Sequence, residues 1–434
     1  MSKAKKSAVG TSSYKELEGL ERAEALKKGY DENGGAYIRL GGQYVVSRSE
    51  IWRPVLFYAD TALAMFELVT ASYFSVLQGD MEAASECFHF IQMIFNMMVI
   101  SANLQYYRKN IDELFTAIGA GFFDYGDTID PQTKEKMDKH MMDMRANKKF
   151  RFKVFVLVVW VLGGCMFIKV IVAHFRFGDT IDGEGGSVSR KHIVAIWLPG
   201  IDEWPSYIAM VVAAYLCQVL IMNSIWGFVL PVICFAEELN AQLHIVGIGL
   251  RHTTARARHI LYRKYGEQKS GNLKFKYEES LREALKSSVQ HHNVILEACK
   301  CASTLLNLPL MTVMFGTAVL LCMSGFVMVE DSVPIIANII SLLFIGGEVI
   351  YAYLFCYYGE MITATSLEIG DELYNDDWWE GRDVFRPYMA MISLRSNRPI
   401  KLSAGGFTDV NNAAFSNIIS TSYSYFNLMF TSKS

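Results

Sequence analysis

Ser416, Ser420, Ser424, Asn427 and Thr431 recur along the last apolar stretch of this 434-residue chain. At about 100° per residue on a helix they fall within an arc of about 80°, while Ile418, Ile419, Tyr425, Phe426, Met429 and Phe430 take the far side. Hydroxyl and amide groups set in a row along an apolar helix can line a water-filled pore, or they can hydrogen-bond across a seam between packed helices. The spacing alone leaves both open. One such stripe per chain cannot enclose a pore, so the pore reading demands several subunits around an axis.

Other chemically capable residues point less sharply. Asp60, Glu67, Lys169 and Glu348 lie inside apolar stretches, where an ionised side chain is costly against lipid, so each should face protein or water or reach the interface. Lys169 sits about two turns from the end of its stretch and can snorkel, whereas Glu348 is the deepest. His291-His292 reads as packing, because no Cys, His or carboxylate set around it has metal-ligand spacing. The basic run from Arg251 to Lys264 fits a solvated or lipid-facing helical surface beside a membrane better than it fits nucleic acid. The sequence lacks a phosphate-binding Gly-x-x-x-x-Gly-Lys, a zinc-type His-Glu-x-x-His and a Gly-x-Ser-x-Gly elbow, so it nominates no enzyme chemistry, cofactor or metal.

The elements that must position these groups are membrane spans. Seven stretches are apolar and long enough to cross a bilayer, roughly 54–77, 83–107, 154–175, 206–235, 302–328, 333–362 and 409–431. Of 41 lysines and arginines, 36 fall in the alternate segments 1–53, 108–153, 236–300 and 363–401, and three, Arg176, Arg190 and Lys191, fall in the opposite ones. Cytosolic segments retain positive charge during insertion. The sequence therefore predicts an all-α membrane protein with seven transmembrane helices, N-terminus cytosolic and C-terminus extracellular, the reverse of a G-protein-coupled receptor. No cleavable signal peptide is apparent in 1–53, and the eight cysteines all fall in spans or inner segments, with only Cys87 near the outer face, which argues against a disulfide framework. Residues 236–250 continue the helical pattern of the fourth span, and Tyr277 to Cys301 rises as a charged helix into the fifth, with a polar turn over Gly266–Gly271 between them.

The end of the chain carries a more specific pattern. Tyr374-(x3)-Trp378-(x7)-Arg386, Met391-Ile-Ser-Leu-Arg395-Ser-Asn-Arg398-Pro399-Ile, Gly406-Phe, Phe415 and Ser422-Tyr-Ser-Tyr-Phe426 together resemble the insect odorant receptor family. The matches are dense over about the last 60 residues and thinner upstream. There they include Tyr207-(x7)-Tyr215-(x2)-Gln218 and the His291-His292 pair ahead of the fifth span.

That resemblance implies an odorant-gated, non-selective cation channel in the plasma membrane of a sensory neuron, a tetramer whose subunits each give the seventh span to one central pore. It implies this division: 1–53 a cytosolic N-terminal segment, 54–235 spans one to four, 236–301 cytosolic helical extensions, 302–362 spans five and six, 363–404 a cytosolic anchor helix and loop, and 405–434 the pore-lining span and tail. Tyr374, Trp378, Arg386 and Arg395 would then serve assembly in the anchor, with Gly405-Gly406 a flexible break before Asp409 caps the pore helix. Asn427 and Leu428 would form the constriction, and Leu428, about 100° from Asn427, would need the helix to turn between closed and open states. The ligand would be a small volatile odorant in an apolar pocket of the outer half. Its candidate lining is Phe88, Ile91 and Phe95; Trp160, Gly163 and Phe167; Tyr207, Met210 and Ala214; and Ile340, Leu343 and Phe344. Partners would be membrane lipid and three further subunits, either copies or the family's co-receptor.

Three other classes compete with this one. A gustatory receptor would have the same architecture and a different ligand, and the Tyr374-x3-Trp378 and Arg395-Ser-Asn-Arg398-Pro399 segments favour the odorant branch. A metabotropic seven-span receptor would need the opposite topology together with Asp-Arg-Tyr and Asn-Pro-x-x-Tyr motifs, and a secondary transporter would need internal repeats; the sequence carries neither set.

Overall fold

The computed structural model describes residues 12–33, 35–40, 50–79, 81–177, 180–181, 188–189, 204–266, 272–328 and 335–433. Most of these residues are helical: α1 (Gly19–Glu32), α2 (Gly35–Leu40), α3 (Trp52–Gln78), α4 (Met81–Tyr106), α5 (Arg108–Ala120), α6 (Pro131–Phe177), α7 (Trp204–Arg251), α8 (Thr253–Tyr265), α9 (Leu273–Met328), α10 (Ile335–Glu372), α11 (Arg382–Ser396) and α12 (Asn412–Lys433). Among the described residues five helical segments are long and apolar enough to cross a membrane: Trp52–Gln78, Ala83–Tyr106, Val219–Arg251, Leu273–Gly325 and Ser341–Asn375. The predicted span 154–175 lies within α6, while the span predicted over 409–431 begins as α12 only at Asn412, because 408–409 form a strand; both helices run partly over side chains outside those described. At about 1.5 Å per residue, the 47 residues of α6, 48 of α7 and 56 of α9 are roughly 70–85 Å long, more than twice a bilayer's apolar core. These rods must project well beyond it. The stretches 236–250 and 278–301 are unbroken continuations of α7 and α9.

The amphipathic pattern of α5 explains how the N-terminal part of the chain is held. Ile111, Leu114, Phe115 and Ile118 recur at helical spacing and are buried, and the helix ends on Gly121 at φ +85°. α1 crosses α5 at two glycines. A Cβ on Gly29 would lie 1.9 Å from the Phe115 carbonyl oxygen, and one on Gly119 would lie 1.9 Å from that of Ala25. Residues 12–32, expected only as a cytosolic segment, are thus docked on the core, with Tyr14 buried against Phe122.

Prolines inside the long helices leave carbonyls without their usual partner. Pro309 in α9 cannot bond to the Leu305 carbonyl, and the Asn103 amide of α4 donates to that oxygen instead, at 2.6 Å. Two residues on, the Asn307 carbonyl accepts from the Gly405 backbone N–H at 3.0 Å. That contact docks a hairpin in which Ser403–Ala404 pairs antiparallel with Thr408–Asp409 around Gly405 and Gly406, at φ +65° and +76°. The hairpin corrects one expectation. Asp409 is not the cap of the last helix: it sits in the strand, its carboxylate 2.6 Å from Lys401 Nζ, and Asn411 Oδ1 caps α12 by accepting from the Ala414 N–H at 2.9 Å.

Candidate functional site

One face of α12 is packed and the other is open. Ala414 and Ser422 are buried, and Ser422 Oγ donates to the Ala318 carbonyl of α9 at 3.3 Å while Cys322 Sγ lies 3.4 Å from the Ser422 carbonyl. Phe426 lies over Gly325, where a Cβ would come within 3.0 Å of its ring, and Phe415 meets Tyr353 of α10 edge to face at 5.4 Å. Ser416, Ser420, Ser424 and Thr431 are exposed on the opposite side, and Asn427 is half-buried. Among the described residues no helix of the same subunit covers Ser416, Ser420, Ser424 or Thr431. Ser424 Oγ and Thr431 Oγ1 meanwhile bond back to the Ser420 and Asn427 carbonyls, at 2.9 and 3.0 Å, which satisfies them while they face outward.

Asn417 and Thr421, absent from the sequence reading, are exposed as well and fall at about 100° and 140° on the same wheel. They widen the polar arc to about 140°, and Leu428, 64% exposed, falls inside it at about 120°. The separation of Leu428 from Asn427 thus no longer places it off the polar face. With Met314, Ala318 and Val410, Asn417 and Thr421 also line an open groove where α12, α9 and the hairpin meet.

The inner ends of the helices converge on Arg256, read from the sequence as part of a solvated basic run but fully buried. Its guanidinium donates to the carbonyls of Thr128 (3.0 Å) and Gly249 (2.9 Å) and to the hydroxyls of Ser288 (2.7 Å), Ser287 (2.5 Å) and Thr128 (3.5 Å), 4.8 Å from the Tyr125 ring. Every donor of the fork is used. Burial pulls its affinity for a proton below the ordinary arginine value. The outer cations of the run pair with neighbours instead, Arg251 with Glu372 and Arg258 with Glu380.

His291 packs beside this centre, accepting from the Tyr125 hydroxyl and donating to Gln242 Oε1, both at 3.0 Å in the tautomer that these partners imply. Burial pushes it down to about 3, and His292 down to about 4. Asp376 accepts from the Thr254 N–H at 2.8 Å and hydroxyl at 2.6 Å, which fastens α8 to the turns before α11. Across α6 and α7, Lys148 Nζ lies 2.7 Å from Glu238 and Arg151 Nε 2.6 Å from Glu237, which also accepts from Tyr358 at 2.7 Å.

Of the anchor residues, Tyr374 and Arg386 are exposed on the subunit, Trp378 packs against the core, and Arg395 is half-buried with a bond to the Arg398 carbonyl. Of the pocket residues, the side chains of Phe88, Phe95, Trp160 and Leu343 are exposed, Ile91 packs with Leu68 and Ile94, and Trp160 meets Trp226 edge to face at 5.5 Å. Gly163, Phe167, Tyr207, Met210, Ala214, Ile340 and Phe344 lie outside the residues whose side chains are described, as does Lys169. Glu348 is turned to protein: one oxygen accepts from Thr317 Oγ1 of α9 at 3.1 Å and the other lies 3.9 Å from His89 Nε2 of α4. Asp60 and Glu67 are half-buried.

The model of the 7tm Odorant receptor family matches residues 80–423. Odorant receptor 67c of Drosophila melanogaster is 26% identical over 146 residues, 34% of this chain and 36% of that protein. Odorant receptor 13a of the same organism is 27% identical over 210 residues, 45% of this chain and 50% of that protein. The chain thus matches between about a third and a half of the length of these relatives. In shape it is similar to the olfactory receptor OR5 of Machilis hrabei in complex with eugenol, with a TM-score of 0.70 at 13% identity over 94% of this chain and 98% of that one. The structure of OR5 alone gives 0.68 at 12% identity. At such identities the likeness is one of fold.

Proposed function

We propose, since this chain belongs to the 7tm odorant receptor family, that it is the subunit of an odorant-gated, non-selective cation channel in the plasma membrane. Four subunits surround one pore, α12 of each turns its polar arc to the axis, and the N-terminus is cytosolic. The observation that carries this is the two-sidedness of α12: it is fastened to α9 and α10 by one face and leaves hydroxyls, amides and Leu428 uncovered on the other. A row of polar groups on a free helix face is costly against lipid and at ease against water or another subunit. In the pore, four Asn427 amides coordinate cations without strong preference, and four Leu428 side chains close it by dewetting. The ligand is a small volatile molecule, held by dispersion and shape in the outer half of the helix bundle among the residues around Phe88 and Leu343; Trp160, seven residues into its span from the cytosolic end, lies too deep for that pocket.

The test is whole-cell current in cells expressing the chain with and without a co-receptor subunit, during application of an odorant panel that includes eugenol. Odorant-evoked current whose ion selectivity changes with Asn427→Asp, and whose closed-state leak rises with Leu428→Ala, is the expected result. Evoked current indifferent to both variants would leave the polar arc as a seam between subunits. Current only with the co-receptor would make the chain a tuning subunit.

A further inference from the structure

We infer that α6 carries, just before the third predicted span, a docking face for the anionic headgroups of phospholipids in the cytosolic leaflet. This rests on the reading that 154–175 crosses the membrane and 108–153 lies in the cytosol.

Five cations stand close together on this helix, and they divide into two sets. Lys148 and Arg151 are spent inside the protein, on Glu238 and Asn33 at 2.7 Å and on Glu237 at 2.6 Å. Arg145, Lys149 and Lys153 are exposed, and among the described residues they have neither an ion pair nor a hydrogen bond. Spaced four apart, these three fall at about 0°, 40° and 80° on the wheel and span about 12 Å along the axis.

The same face continues upward as exposed apolar surface. Leu157 and Trp160, 63% and 51% exposed, follow at about 120° and 60°, within about 11 Å of Lys153. Phe150, 69% exposed, stands among the cations. On α6 itself the nearest acids are Asp143, about 80° round the helix from Lys153, and Asp138, about 10 Å below Arg145, while Glu237 and Glu238 of α7 are taken by Arg151 and Lys148.

A cationic patch that runs without a step into exposed Leu and Trp fits a leaflet boundary. The apolar side chains enter the acyl region, and the long cationic side chains reach the phosphate layer, which lies within about 8 Å of it. Juxtamembrane cations gain about 1 kcal/mol each from an anionic leaflet, a factor of about five per residue and on the order of a hundredfold for all three.

The experiment uses the full chain, purified in neutral detergent, and measures binding of dioctanoyl phosphatidylinositol 4,5-bisphosphate, dioctanoyl phosphatidylcholine and free inositol trisphosphate by native mass spectrometry. The expected result is preference for the anionic lipid, weakened by roughly two orders of magnitude in the combined R145Q, K149Q and K153Q variant and by salt. A control with K109Q, K134Q and K139Q should bind as the unaltered chain does. Lys149→Gln alone should cost about fivefold and serves if the triple variant fails to fold. Equal binding by variant and unaltered chain overturns the proposal, and so does an equal loss in the control. Inositol trisphosphate binding as tight as the lipid would make this a site for soluble polyphosphate instead. Lys149→Cys labelled only from outside the cell would overturn the membrane orientation itself; labelling from the cytosol with no lipid preference would sink the docking face alone.

Discussion

Asn103→Leu tests how α9 tolerates a proline in its interior. The substitution keeps the volume of a side chain that is buried in α4 and removes the side-chain donor to the Leu305 carbonyl that Pro309 leaves without its helical partner. A buried carbonyl stripped of its hydrogen bond costs roughly 1–3 kcal/mol. The structure also predicts when that cost vanishes. Pro309→Ala restores a backbone N–H four residues on, which bonds to the same carbonyl, and it removes the penalty of up to about 3 kcal/mol for proline inside a helix. Asn103→Leu should therefore cost roughly 1–3 kcal/mol with Pro309 present and less than about 0.5 kcal/mol in the Pro309→Ala background, a coupling read directly by a double-mutant cycle. The assay is denaturant-induced unfolding of the detergent-solubilised chain in all four forms, followed by intrinsic fluorescence. An equal cost of Asn103→Leu in both backgrounds would refute the reasoning, because the amide would then be contributing something other than the missing bond.

Three further outcomes follow from the same structure. Lys148→Met leaves Glu238 buried beside Glu237 without its cation and should destabilise by roughly 3–5 kcal/mol, most of it recovered when Glu238→Gln is added, as read by thermal unfolding of the three forms. Gly359→Ala would place a Cβ 2.0 Å from the Val410 carbonyl oxygen and push α10 away from the entry to α12, so it should abolish surface expression or evoked current, whereas Gly346→Ala, with nothing within 4 Å, should be silent in both. His291 and His292 are held at about 3 and 4 against an ordinary 6.5, so the folded state resists a proton that the unfolded chain accepts. Their contribution is complete above pH 6.5 and is lost as pH falls towards 4, about 2 kcal/mol for each at pH 5, and unfolding measured between pH 7 and 5 should become flatter when both are changed to Gln.

The polar stripe of α12 was legible because a 3.6-residue period survives in the bare sequence, and so was the continuity of α7 and α9. Its true width was not. The edge of the arc is set by which residues α9 covers, and Ser422, a polar residue, is among the covered ones while Thr421 beside it is free. Asp409 and Asn411 are equally good capping residues on paper, and only the hairpin, by taking Asp409 into a strand opposite Lys401, decides between them. Arg256 looks like its neighbours Arg251 and Arg258 in sequence. It becomes a buried hub only because hydroxyls and carbonyls from α9, α7 and the turn before α6 meet at one point, and a linear reading cannot see that meeting. α1 was hidden for the opposite reason: half of its residues are charged, and it packs through a glycine, which leaves no apolar stripe to find.

Between Asn412 and Thr431, α12 contains no Asp, Glu, Lys or Arg. Carrying one elementary charge through the whole membrane field yields about 2.3 kcal/mol per 100 mV, and turning an uncharged helix about its own axis moves no such charge. In the proposed pore, a movement of this stretch of α12 alone would give the transmembrane voltage no charged side chain to pull on. Any voltage dependence of opening would then have to come from charges in other spans, such as Glu348 of α10, and neutralising Glu348 would separate that contribution from the pore helix.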